Sequence, residues 1–172
     1  MKQQGFSLII VLLLLTIMVG LATTALHTAG ADARLQVGER DRQLAFEAAE
    51  AALRDGEAWL RAGAPAAARF DAECSAGLCL PSADGTPQWR RVDWNGTAPI
   101  RYGHGEAVFP QAGLLREPRY IIEALPELAA GTPYRITAAG WGRNPASEVR
   151  LQSVYLAGGA MPARRLSWRQ DH

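Results

Sequence analysis

GFSLIIVLLLL, residues 5–15, sets a single glycine between a short polar leader and a long uncharged run that begins with an aromatic. No charged side chain occurs from Gly5 to Ala31, and Phe6 to Leu26 is almost wholly apolar. A transmembrane helix needs about 20 predominantly apolar residues, and Phe6–Leu26 meets that length. Lys2 supplies a cation ahead of the run, on the side that the positive-inside tendency keeps in the cytoplasm. A secretory signal would instead carry an apolar core of roughly 7–15 residues before a small-residue cleavage site. Ala29-Gly30-Ala31 fits such a site, so a soluble chain starting near Asp32 is the competing reading of the same stretch.

The rest of the composition narrows the function classes. The chain has 172 residues and a formal net charge of +1, so no basic surface argues for nucleic acid. Hydrophobic residues make up 48% of it but are concentrated before Ala31; beyond that point charges are evenly spread. One apolar span and a remainder of about 140 residues fit an anchored single domain with a modest core.

The segment after Gly38, GERDRQLAFEAAEAALRDGEAWLRAG, contains no proline and many strong helix formers. Phe46, Ala49, Leu53, Gly56, Leu60 and Gly63 recur at steps of three and four, with Ala45, Ala52 and Trp59 widening the stripe, which predicts a core-facing helix. Glu50 with Arg54 and Glu57 with Arg61 sit at i, i+4 in the favourable acid-first order, predicting ion pairs on the opposite side. Gly63 and Pro65 mark the stop. A continuous helix from Phe6 to Arg61 would reach about 84 Å, with Gly20, Gly30 and Gly38 as places for a bend. Its N-terminal half is expected to pack against the helices of other subunits.

Residues 66–118 read as loop-rich. Cys74 and Cys79 are the only cysteines, and in an exported chain a lone pair reads as a disulfide. As metal ligands they would need partners at zinc spacing, and none follow. So short a loop limits the stabilisation to at most about 3 kcal/mol. Asn95-Gly96 reads as a two-residue hairpin turn flanked by Val92, Trp94 and Ile100. The turn also accounts for the glycosylation-like Asn95-Gly96-Thr97. Three strands are predicted, at 120–125, 134–138 and 149–156, joined by short turn-rich segments as an antiparallel meander. Strands following one long helix imply an α+β fold with the sheet's apolar face on the helix. The basic tail from Gly158, with Arg164, Arg165 and Arg169, has no evident place in that core, and Trp168 is its one anchor.

Lys2, Gly5 and Phe6 followed by Ser7-Leu8-Ile9-Ile10 resemble the leader of type IV pilins. DRQLAFEAAEAALRDGE (41–57), GLC (77–79), PRYIIE (118–123) and YRITAAGWGRNPASEVRLQSVY (134–155) are similar, in that order, to the PilX family of minor pilins. The likeness implies the type IV pilin fold, in which a long N-terminal α-helix packs on a C-terminal antiparallel β-sheet. It also implies that an aspartyl prepilin peptidase cuts between Gly5 and Phe6 and methylates the new amino terminus on Phe6. A glycine before the cut lets the backbone approach a peptidase closely. The domain organisation expected from this is a cleaved leader at 1–5, a membrane and filament-core half-helix at 6–31, an amphipathic half at 32–63, and a periplasmic pilin domain at 64–172. The implied partners are the prepilin peptidase, the inner membrane, the major pilin, other minor pilins of a priming complex at the pilus tip, and a large tip adhesin.

Most pilins carry a glutamate at the fifth mature position, where this chain has Ile10. In the family that carboxylate is taken to pair with a neighbour's amino terminus, because a buried unpaired ammonium is costly. A subunit lacking it suits a position where no such pairing is required, and PilX-like proteins tend to lack it. Nothing points to catalysis, a metal or a cofactor. His27, His104 and His172 lie far apart, and the glycines around His104 in Gly103-His104-Gly105-Glu106 mark a loop. No phosphate-binding, dinucleotide, zinc-protease or nucleophile-elbow motif occurs. The alternatives that remain are a pseudopilin of a type II secretion system and a membrane-tethered periplasmic binding domain.

Overall fold

The computed structural model describes residues 6–63, 66, 69–105, 109–110, 113–159 and 162–171. The chain divides into two compact units, Met1–Arg40 and Asp41–His172. One helix, α1 (Phe6–Ala62), starts in the first and ends in the second, and it runs through Gly20, Gly30 and Gly38 as a single element.

The second unit combines the last part of α1 with a sheet of β1 (Leu78–Cys79), β2 (Ile100–Arg101), β3 (Arg119–Ala124), β4 (Thr132–Trp141), β5 (Glu148–Ala157) and β6 (Arg164–Asp171). Its order is β1-β3-β4-β5-β6, with β2 also on the outer edge of β3. Strands β3 to β6 form an antiparallel meander, whereas β1 pairs with β3 in parallel. The fold is therefore α+β with a long N-terminal helix, as in pilins. The three predicted strands are β3, β4 and β5, and β4 extends further than expected, through Gly140 to Trp141.

Alternation along the strands gives the sheet two buried faces. One carries Tyr120, Ile122, Ile136, Ala138 and Leu151 against Ala45, Ala49, Ala52, Leu53 and Leu60 of α1. These side chains are almost completely buried, and burying each large one contributes roughly 1.5–3 kcal/mol. The predicted helical stripe is thus the core face, with Phe46 and Trp59 at its margins. Small residues bring helix and sheet close together. A Cβ on Gly140 would lie 2.2 Å from the Ala45 carbonyl oxygen and 2.4 Å from the Ala49 nitrogen. The opposite face buries Ile121, Ala139 and Trp141 under a lid formed by Cys74, Cys79, Trp89 and Trp94. Because β3 is covered on both sides, its Tyr-Ile-Ile run is apolar without alternation.

Three expectations are corrected. The basic tail is an ordered edge strand, β6, paired along β5. Asn95-Gly96 closes a turn, with the Gly96 amide donating to the Asp93 carbonyl at 3.0 Å, but no hairpin follows: β2 pairs with β3 and residues 92–94 form no strand. Glu50 and Arg54 do pair at 3.3 Å, whereas Glu57 does not pair with Arg61 on a solvated face. Glu57 is buried, accepts from Arg165 at 2.7 and 2.9 Å and from the Ser153 hydroxyl at 2.7 Å, and leaves Arg61 to the Tyr155 hydroxyl at 3.2 Å. The helical period that put Phe46, Leu53 and Leu60 on the sheet also carries Glu57 round to its β5–β6 side.

Candidate functional site

The N-terminal part of α1 carries a long run of exposed apolar side chains. Side chains from Leu8 to Val19 are apolar apart from Thr16, and they stay exposed all round the helix: Leu8 is 70% accessible, Leu12 61% and Met18 73%. Ile10, at the position where most pilins have glutamate, is 44% accessible within this run. Phe6 is the first residue of α1, while its side chain, that of Leu26 and the whole of Gly5 lie outside what is described. Among the described residues no helix is long and apolar enough to cross a membrane. The described side chains of the Phe6–Leu26 run end at Gly20.

Behind the sheet, Cys74 and Cys79 are joined in a disulfide. Local hydrogen bonds fix the loop they close. Asp71 accepts the Ser75 amide at 2.8 Å through its side chain and the Leu80 amide at 2.7 Å through its carbonyl. Gly77 has φ +71, and a Cβ there would meet the Ile100 side chain at 2.5 Å, so the turn demands glycine. Arginine and tryptophan interleave next to this loop. The Arg150 guanidinium lies 5.6 Å from the Trp89 ring and 5.9 Å from Trp94, and Arg116 lies 5.8 Å from Trp141. Such cation–π contacts contribute about 0.5–1 kcal/mol each. No local pattern announces them, since the partners are 25 to 61 residues apart in the chain.

Three carboxylates brace the second unit. Asp41 accepts the amides of Arg143 at 2.7 Å and Asn144 at 3.0 Å, clamping the β4–β5 turn to α1. The Ser147 hydroxyl, then those two amides, hold its carboxyl below the usual range. Glu123 on β3 is buried, and burial pushes its carboxyl up, opposed by Arg135 at 3.0 Å. At the end of α1, Asp55 accepts the Gly103 amide at 2.8 Å, and Tyr120 and His104 share a hydrogen bond of 3.2 Å. His104 therefore anchors a loop to the sheet. Among the described residues no cluster of potential metal ligands occurs.

Residues 4–54 match the family described as PilX N-terminal, and residues 75–157 match the one described as Type IV pilus assembly protein PilX C-term. The chain belongs to the PilX family. It is thus a type IV pilus assembly protein of the minor-pilin kind. The two PilX matches span most of the chain and meet the exposed helix, the core-facing helix, the disulfide loop and strands β3 to β5. Strand β6 lies beyond the C-terminal match. Among curated proteins and solved structures nothing matches the chain.

Proposed function

We propose that this PilX-family protein is a minor pilin that primes type IV pilus assembly and remains in the tip complex. The exposed apolar surface from Leu8 to Val19 carries the reading: it is a surface suited to lipid before assembly and to neighbouring apolar helices afterwards. In this account the prepilin peptidase removes residues 1–5 and methylates Phe6. Residues 6–31 hold the subunit in the inner membrane, the amphipathic half at 32–63 leads out of it, and residues 64–172 form the periplasmic domain. Extraction then exchanges lipid contacts for contacts with the major pilin, other minor pilins and a tip adhesin. The protein acts by assembling, without an active site.

Ile10 gives the tip assignment its chemistry. A subunit without the carboxylate offers no partner to a neighbour's buried ammonium, so it suits initiation and not repetition along the shaft. Replacing Ile10 with Glu tests this through copy number in sheared pili. A rise in copies per filament is expected, and unchanged copies with unchanged localisation contradict the proposal. Loss of protein secretion with normal piliation in a deletion strain would favour the pseudopilin alternative.

A further inference from the structure

The second unit contains a cavity of about 390 Å³ between the end of α1, the disulfide loop and the segment leading into β2. Its volume falls in the range of small-ligand sites. Three features of its wall converge on one kind of guest.

The first is unspent positive charge. Arg69 makes no ion pair among the described residues, and its guanidinium instead lies 5.9 Å from the Trp59 ring. Arg101 reaches Glu117 only at 4.0 Å, with both side chains well exposed, which is a weak pairing. The neighbouring carboxylate of Asp55 is already committed to the Gly103 amide. The second feature is a set of free donors. The amides of Thr97 and Ala98 make no hydrogen bond among the described residues, and neither does the Thr97 hydroxyl. The third is a strained and braced backbone. Cys74, Ala76 and His104 are the non-glycine residues with positive φ among those described, at 59°, 50° and 55°. Ala76 and His104 line the cavity, and Cys74 closes the loop that carries Ala76. Strain of this sort persists where surrounding structure enforces it, and it gathers at binding sites. Here the disulfide, the Tyr120–His104 hydrogen bond and the edge contact of His104 with Trp59 at 4.9 Å provide the enforcement.

Guanidinium forks and free amides recognise carboxylates. Ala98, Pro99 and Ile100 add an apolar strip beside them. Arg69 already occupies the Trp59 ring face, which leaves poor room for a sugar to stack. We propose that this cavity receives an acidic, extended peptide segment of a neighbouring subunit, its carboxylates held by Arg69 and Arg101 and its backbone by the Thr97 and Ala98 amides. The proposal rests on the assembly reading above only for the source of the peptide.

The test uses the full-length protein in detergent micelles and two tetrapeptides, acetyl-Glu-Leu-Glu-Leu-amide and its glutamine counterpart. The indole signal of Trp59 and the amide signals of Thr97 and Ala98 are followed by NMR. The acidic peptide should shift them saturably, and the glutamine peptide should bind about tenfold more weakly. Arg69→Gln and Arg101→Gln should each weaken the acidic peptide by a similar factor while leaving the melting temperature unchanged. No saturable shift at millimolar peptide overturns the proposal, as does equal affinity for both peptides. Inorganic phosphate reproducing the shifts would make the cavity a simple anion site, and a response confined to micelles containing phosphatidylglycerol would make it a headgroup site; either result overturns the peptide. Processing at Gly5 is untouched by these variants, so failure here is distinguishable from failure of the pilin reading.

Discussion

The two stretches of α1 on either side of the unit boundary share one backbone and carry opposite surfaces. From Leu8 to Val19 the large side chains are exposed all round; from Ala45 to Leu60 one face is small, apolar and shut against a sheet. The second stretch completes its burial against the sheet, while the described side chains of the first stay exposed. Under the assembly role proposed above, the contrast teaches that the helix serves two different solvents. Alanines and glycines suit a close intramolecular contact, whereas leucines and isoleucines suit an environment that surrounds them. Changes that add polarity should therefore harm assembly when made in the first stretch, and changes that add bulk should harm folding when made at the second.

The largest effect is expected from a charge in the first stretch. Leu13→Asp should cost about 4 kcal/mol of membrane insertion and abolish incorporation into pili. The melting transition of the sheet-bearing unit should stay unchanged, as followed by near-ultraviolet circular dichroism in detergent. Next comes bulk at the second contact. Gly140→Ala drives a methyl into the backbone of α1 at Ala45 and Ala49 and should destabilise the fold by about 3 kcal/mol in chemical denaturation.

A smaller loss is expected where the C-terminal strand is fastened. Arg165→Ala leaves the Glu57 carboxylate buried with only Ser153 and should cost about 2 kcal/mol. Protection of the β6 amides from hydrogen exchange should fall before that of β4. The smallest effect sharpens the contrast by pH. The depressed Asp41 carboxyl stabilises the fold above its unfolded value and loses that contribution as pH falls through the folded one, below about pH 4. Glu123, with its raised value, acts in the opposite direction, favouring the fold at the lower pH. Asp41→Asn should therefore flatten the acid side of the stability profile measured by thermal melts.

What the sequence made legible follows from how local each signal is. The helix, its sheet-facing stripe and the strands β3 to β5 were readable because Phe46, Leu53 and Leu60, or Tyr134 and Ile136, repeat at their own element's period. The disulfide was readable because no other cysteine competes. Strand β6 was not, because Arg164, Arg165 and Arg169 obscure any alternation. Its register also slips at Leu166, so that Tyr155 faces Arg165 and Ser153 faces Trp168. That bulge turns both Arg165 and Trp168 towards α1, where they meet Glu57, and Phe46 with Glu50. In a regular strand, residues three apart would face opposite ways. The cavity was hidden for a related reason: Trp59, Arg69, Ala76, Thr97 and His104 come from separate segments, and only the folded loop unites them.

The most direct test of the account is intact-mass and N-terminal peptide analysis of the protein from its native membranes, with and without the prepilin peptidase. A mature chain that begins at N-methylated Phe6, and that is lost when the peptidase is absent, is the predicted result. A chain beginning at Asp32, or still at Met1 in the presence of the peptidase, would contradict it.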